Sequence, residues 1–180
     1  MLDQEIGKGG EGVVYTVDND PSQVAKIYHP SLRLAEQEEK LRTMIAFPPQ
    51  CGHSSTHLAI AWPTALLYRH GKFSGYLMPR VRHGHSVFKI YNPQSRANVA
   101  RFFDWRHLHR TAQNVASALH ALHCSHYVVG DINQKNTMVA TNALVTLIDT
   151  DSFQVSGAGG KIYRCRVGVP EYTPPELQGK

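Results

Sequence analysis

The chain has 180 residues, enough for one domain or two small lobes with a sizeable core. Its 42% hydrophobic and 18% charged content excludes a disordered tail and reads as a globular protein. A net charge of +5 suits an anionic ligand such as a nucleotide, but the Lys and Arg residues are scattered, so no basic run marks a nucleic-acid partner. The three cysteines, Cys51, Cys124 and Cys165, are far apart and form no C-x-x-C, which argues against a disulfide framework. Eleven histidines show no zinc-ligand spacing. The N-terminus lacks a signal-peptide core, and the longest apolar stretch, 58–68, is interrupted by Pro63. No membrane partner is expected, and a reducing cytoplasm is the default location.

Residues 2–6 and 13–17 read as two strands joined by Gly7-Lys8-Gly9-Gly10-Glu11-Gly12. With Val14 following, the segment is G-x-G-x-x-G-x-V. Glycines let a backbone turn tightly and approach phosphate. The β-branched run Val13, Val14, Val17 disfavours a helix after the loop, so a glycine-rich hairpin fits better than a dinucleotide-binding turn. The turn D-N-D-P-S leads to the strand V-A-K-I-Y, which carries Lys26. A lysine on a buried strand needs an anionic partner. From 31 to 46 a helix is predicted, with Leu34, Glu38, Leu41 and Ile45 on one face. Glu38 is the favoured partner for Lys26, with Glu36 and Glu39 as competing choices.

Residues 47–57 form a loop, and 59–68 and 73–81 read as a hairpin across R-H-G-K. If M-P-R-V is a hinge beside an adenine, Met78 borders the base, the carbonyl of Pro79 accepts from its amino group, and the N–H of Val81 donates. A connector with short helices spans 83–98. A long helix starts at Trp105, with a core stripe at 105, 108, 112, 115, 119 and 122. It leads to V-V-G-D-I-N-Q-K-N-T-M-V-A and V-T-L-I-D. Asp131 and Asn136 lie five residues apart in a polar loop, and Asp149 follows thirteen residues later at the end of an apolar run. An acid, an amide and a second acid at the edges of β-like runs suit phosphoryl transfer. Acidic hairpin turns are the plainer alternative.

Taken in order, these segments resemble the eukaryotic-type (Hanks-type) Ser/Thr protein kinases, in a bacterial kinase-like branch, over essentially the whole chain. The resemblance implies an α+β fold with an antiparallel β N-lobe over 1–81 and a helical C-lobe, incomplete at Lys180, over 82–180. It implies ATP and Mg²⁺ as cofactors and a protein substrate or signalling partner. Gly7, Gly9, Gly10, Gly12 and Val14 would cover the nucleotide, and Lys26, paired with Glu38, would hold its phosphates. Asp131 would orient the substrate hydroxyl, while Asn136 and Asp149 would hold magnesium. Pro175-Glu176 in G-V-P-E-Y-T-P-P-E-L matches the end of an activation segment.

The sequence also departs from the family. The His and Arg usual before the catalytic Asp are Val129 and Gly130, Asn133 stands where a lysine normally contacts the γ-phosphate, and Val169 replaces a threonine. Asn133 offers a neutral hydrogen bond and no charge. These changes keep a nucleotide-binding pseudokinase as the alternative; a small-molecule kinase is disfavoured by the peptide-type activation segment. With Gly130 in place of arginine, phosphorylation of Ser152, Ser156 or Tyr163 is not expected to be the main switch.

Overall fold

A computed structural model describes residues 2–30, 34–49 and 57–178. The chain is α+β and divides into two compact units. The first comprises 1–48, 61–80 and 157–163; the second comprises 49–60, 81–156 and 164–180.

The first unit is built on a five-stranded antiparallel sheet, β1 (Leu2–Lys8), β2 (Gly12–Val17), β3 (Asp20–Tyr28), β4 (Ala65–Arg69) and β5 (Lys72–Pro79), in the order β1-β2-β3-β5-β4. The turns are set by residues that tolerate left-handed backbone. Asn19 (φ 65°) reverses the chain between β2 and β3, and His70 and Gly71 (φ 51° and 73°) between β4 and β5. Two glycines serve strand packing. A Cβ on Gly12 would lie 2.3 Å from the carbonyl oxygen of Ile27, and one on Gly75 would lie 2.0 Å from that of Lys26. The expected strand from 59 begins only at Ala65. Pro63 has no N–H for a ladder, and the residues before it are used differently: the Trp62 indole donates to the Met44 carbonyl at 2.9 Å.

Helix α1 (Leu34–Ala46) packs on β4 and β5. Residues 31–33, where its start was expected, lie outside the described residues. Its buried face carries Lys40, Leu41 and Met44, with Gln37 donating to the Tyr28 hydroxyl at 2.8 Å. That face shares Leu41 with the expected stripe but is rotated from its other members, Leu34, Glu38 and Ile45, which are only half-buried. The core is Val24, Ala25, Tyr28, Leu41, Met44, Trp62, Phe73, Tyr76 and Met78.

The second unit holds a three-stranded antiparallel sheet, β6 (Gly84–Ser86), β7 (Thr137–Ala140) and β8 (Val145–Leu147). Ile60 bridges in parallel to Leu147, and the Leu147 N–H donates to the Ala59 carbonyl at 2.9 Å. The connector after β6 forms two short helices, α2 (Val87–Tyr91) and α3 (Pro93–Val99). The long helix, α4 (Trp105–Cys124), starts at an Asp104–His107 capping box. Its buried residues are Thr111, Ala118 and Leu122. Trp105, placed in the core by the periodic stripe, is 64% exposed, and Ala112 is exposed too. Asp104 must face the first turn to cap it, and this leaves Trp105 outward, stacked edge-on to His109.

The close approach at Gly12 separates two readings of the glycine-rich segment. Gly12→Ala should cost about 1–3 kcal/mol, the usual penalty for overpacking, because β2 and β3 must part. Gly10→Ala, with no atom within 4 Å of its Cβ, should cost under about 1 kcal/mol. Urea denaturation of the two variants measures the difference.

Candidate active site

In the first unit, the tip between β1 and β2 is Gly9-Gly10-Glu11. The Gly9 N–H donates to the Gly12 carbonyl at 2.9 Å, and the His29 N–H to the Glu11 carbonyl at 2.9 Å. Gly9 and Gly10 leave the tip open, and Gly7 and Val14 face each other across the ladder. Lys26 pairs in register with Val14 on β2 and Tyr76 on β5, which makes β3 central, and only 5% of it is exposed. Its ammonium lies 3.7 Å from a Glu11 carboxylate oxygen and 5.7 Å from the centre of the Tyr28 ring.

The expected Lys26–Glu38 pair is corrected by the structure. The Glu38 carboxylate accepts from the Arg42 guanidinium at 2.8 Å and from the Tyr68 hydroxyl at 2.7 Å. The rotation of α1 explains this, since it turns Lys40 and Leu41 onto the sheet and leaves Glu38 at the rim. Glu39 is engaged as well: the Lys161 ammonium donates to it, and the Tyr163 hydroxyl donates at 3.3 Å. The Lys161 bond holds the Glu39 carboxyl below the usual carboxylate range and raises Lys161 in turn. Met78 pairs with Val24 and both are buried; Pro79 ends β5 opposite Gln23.

In the second unit, the loop before β7 draws three predicted residues together. Asn133 Oδ1 accepts from the backbone N–H groups of Lys135 (2.8 Å) and Asn136 (3.2 Å), an Asx-type turn that shapes the loop. Its amide donates to Asp131 Oδ2 at 3.0 Å. The Asn136 amide donates to the same oxygen at 3.0 Å and to the Asp131 carbonyl at 3.1 Å. Asp131 Oδ1 is buried and has no hydrogen-bond partner among the described residues. Gln134 is held from α2 by the Tyr91 hydroxyl at 2.5 Å.

Asp149 is brought to the same loop by sheet register. Thr137 faces Leu147, and the Ile148 N–H donates to the Asn136 carbonyl at 2.9 Å, so Asp149 follows directly on that bond. Its backbone is left-handed (φ 59°, ψ 41°), a conformation that Asp tolerates better than most residues. Ser152 fixes the turn, donating to the Asp149 carbonyl through its N–H (3.2 Å) and its hydroxyl (2.8 Å). Ser152 is 4% exposed, so it supports Asp149 and is not an open phosphate acceptor. Tyr163 is buried too, and Ser156 is the exposed hydroxyl of the three. Val81, the expected adenine donor, begins the second unit's main segment and is half-buried.

The donor set fits a hard cation. Asn136 uses its amide nitrogen on Asp131, which leaves its Oδ1 without a hydrogen bond among the described residues. That oxygen and the Asp149 carboxylate are the ligand type magnesium prefers, in the small number usual where phosphates complete the shell. Among the described residues no group of three His, Cys, Asp or Glu side chains could hold a metal unaided.

The chain is 39% identical over 179 residues to a protein named "Protein kinase YegI" of Escherichia coli K12, and 39% identical over 177 residues to its namesake in Escherichia coli O157:H7. This chain is similar to bacterial protein kinases. The matches cover 98% and 97% of the chain but 27% and 26% of those kinases, so it spans about a quarter of their length. No family model matches the chain.

Sequence reasoning missed Glu11, Ser152 and Cys165. The first lies among glycines, and the second has the sequence context of an ordinary loop hydroxyl. Cys165 explains Gly130: a Cβ there would lie 2.1 Å from the Cys165 Cβ and 2.4 Å from its sulfur. The space that an arginine side chain would enter is filled. Gly130→Ala should therefore destabilise the fold by about 1–3 kcal/mol. Adding Cys165→Gly should recover most of that loss, and a thermal-melt double-mutant cycle measures the coupling.

Proposed function

We propose that the chain is the catalytic segment of a Hanks-type Ser/Thr protein kinase that transfers the γ-phosphoryl group of ATP, with Mg²⁺, to hydroxyls of a cytoplasmic protein substrate. The observation that carries this reading is the Asp131 carboxylate. Two amides hold Oδ2, which orients the group, while Oδ1 is buried without a partner. An unpaired buried carboxylate oxygen is costly, and such cost is tolerated where a ligand makes the missing bond. A substrate hydroxyl is the donor that fits: Asp131 accepts its proton as the oxygen turns nucleophile.

Asn136 Oδ1 and Asp149 would hold magnesium, which supplies charge neutralisation to the phosphates when bound. Lys26 and the open tip at Gly9 and Gly10 would take the nucleotide phosphates, with Gly7, Gly12 and Val14 shaping the hairpin that carries the tip. Met78, Pro79 and Val81 are the candidate adenine contacts. The similar proteins are named protein kinases, which supports the reaction class.

One observation favours a second reading, a nucleotide-binding pseudokinase. Asn133, in the position of the family's phosphate-contacting lysine, has its side chain committed to Asp131 and to the loop backbone. The loop then holds no cation at that position.

Transfer of labelled phosphate from ATP separates the two. The wild-type chain, assayed with a generic protein acceptor, should place label on Ser or Thr. Asp131→Asn should lower that rate by about 10²-fold or more while leaving ATP affinity within about twofold, since Asp131 acts on the hydroxyl. Equal background for both, with ATP still bound, establishes the pseudokinase.

A further inference from the structure

Two basic residues that the proposed reaction does not use sit on backbone held close to Asp131. We propose that Lys135 and Arg164 recognise acidic residues flanking the acceptor hydroxyl, so that the substrate is a protein segment rich in Asp and Glu. The inference rests on the phosphoryl-transfer reading above and names the substrate class for that site.

The backbones of both residues are tied to the Asp131 loop. Asn133 links Asp131 to Lys135: its amide donates to Asp131 Oδ2 at 3.0 Å, and its Oδ1 accepts from the Lys135 N–H at 2.8 Å. Arg164 directly precedes Cys165, which packs against Gly130, the residue before Asp131. A Cβ on Gly130 would lie only 2.1 Å from that of Cys165. Lys135 and Arg164 are both exposed, and neither side chain has a hydrogen-bond or ion-pair partner among the described residues.

Charge selects the partner. The second unit carries ten Lys and Arg residues against six Asp and Glu. Of those six acids, Asp131 and Asp149 belong to the site, Asp104 caps α4, and Asp151 is 1% exposed. The field around the site is therefore positive, which draws in acidic segments and repels basic ones. Without Lys135 and Arg164, the Asp131 carboxylate would repel an acidic segment instead. Ile132, next to Asp131, is 50% exposed. An apolar side chain at that place fits a peptide better than a nucleic-acid backbone, which is met by basic and polar groups. Three residues of extended peptide span about 10 Å, so acids within about three positions of the acceptor are the ones these two side chains meet.

Three fluorescent peptides test this, sharing one Ser and its apolar neighbours and carrying Asp, Gln or Lys at the flanking positions. Anisotropy reads their binding to the 180-residue chain, and labelled ATP–Mg²⁺ reads transfer to them. The wild type should bind and phosphorylate the Asp peptide about tenfold better than the Gln peptide, and the Lys peptide worst. Lys135→Gln and Arg164→Gln should each weaken the Asp peptide by about two- to fivefold. Lys135→Glu combined with Arg164→Glu should reverse the order of the peptides, with the variant still melting cooperatively. Equal binding of the three peptides by the wild type, no binding of any, or an order that survives the double reversal overturns the proposal. So does tighter binding of a single-stranded oligonucleotide of equal charge than of the Asp peptide, which makes the basic face a nucleic-acid surface. Label on none of the peptides, with the binding order as expected, defeats the phosphoryl-transfer reading alone; the acidic segment is then the ligand of a pseudokinase, still recognised by Lys135 and Arg164.

Discussion

A single ammonium group buried in the middle of a sheet constrains the first unit of this protein. Lys26 lies between β2 and β5, with Ala25 fully buried beside it and the Tyr28 ring below its charge. Such a cation is retained only if anions answer it, since its desolvation costs several kcal/mol after relaxation. The glycine-rich hairpin brings Glu11 to it. Gly12 and Gly75 allow the strands on either side to approach within distances that a Cβ would forbid. The same close approaches that shut the sheet around Lys26 leave its ammonium 3.7 Å from a carboxylate oxygen of Glu11 at the hairpin tip.

The second unit is organised by an acid in the same way. Asp131 draws the amides of Asn133 and Asn136, and Asn133 in turn ties the backbone of Lys135 and Asn136. Asn136 then hands its carbonyl to Ile148, which fixes where Asp149 emerges. One loop and one ladder bond thus set an acid, an amide and a second acid near each other, and Ser152 holds the last in its left-handed turn. Asn133 brings no charge to this loop but supports Asp131 through its amide.

Much of this was legible in the sequence, where local chemistry dictates the outcome. Asn19 and His70-Gly71 mark turns because few residues accept positive φ. The Asp131–Asn136 loop could be read because Asx residues reorganise the backbone near them. What could not be read was the phase of helices. The apolar stripe of α1 includes Glu38, but packing keeps only its Leu41 and buries Lys40 and Met44 beside it, since long lysine stems bury well. The stripe of α4 includes Trp105, but the Asp104 cap decides its first turn. Nor does spacing reveal contacts between distant residues, such as Cys165 against Gly130 or Glu39 against Lys161. Part of the loop read over 47–57 lies outside the described residues.

The account stands on Lys26 being a phosphate-binding cation and not merely a buried structural charge. Its most direct test is calorimetric binding of ATP–Mg²⁺ to Lys26→Met, which keeps the length and apolar stem of the side chain but removes the ammonium. The account predicts saturable binding to the wild type and a loss of about tenfold or more in the variant, with the variant still melting cooperatively. Equal affinity of the two proteins for ATP–Mg²⁺, or no binding by the wild type at millimolar nucleotide, would contradict it.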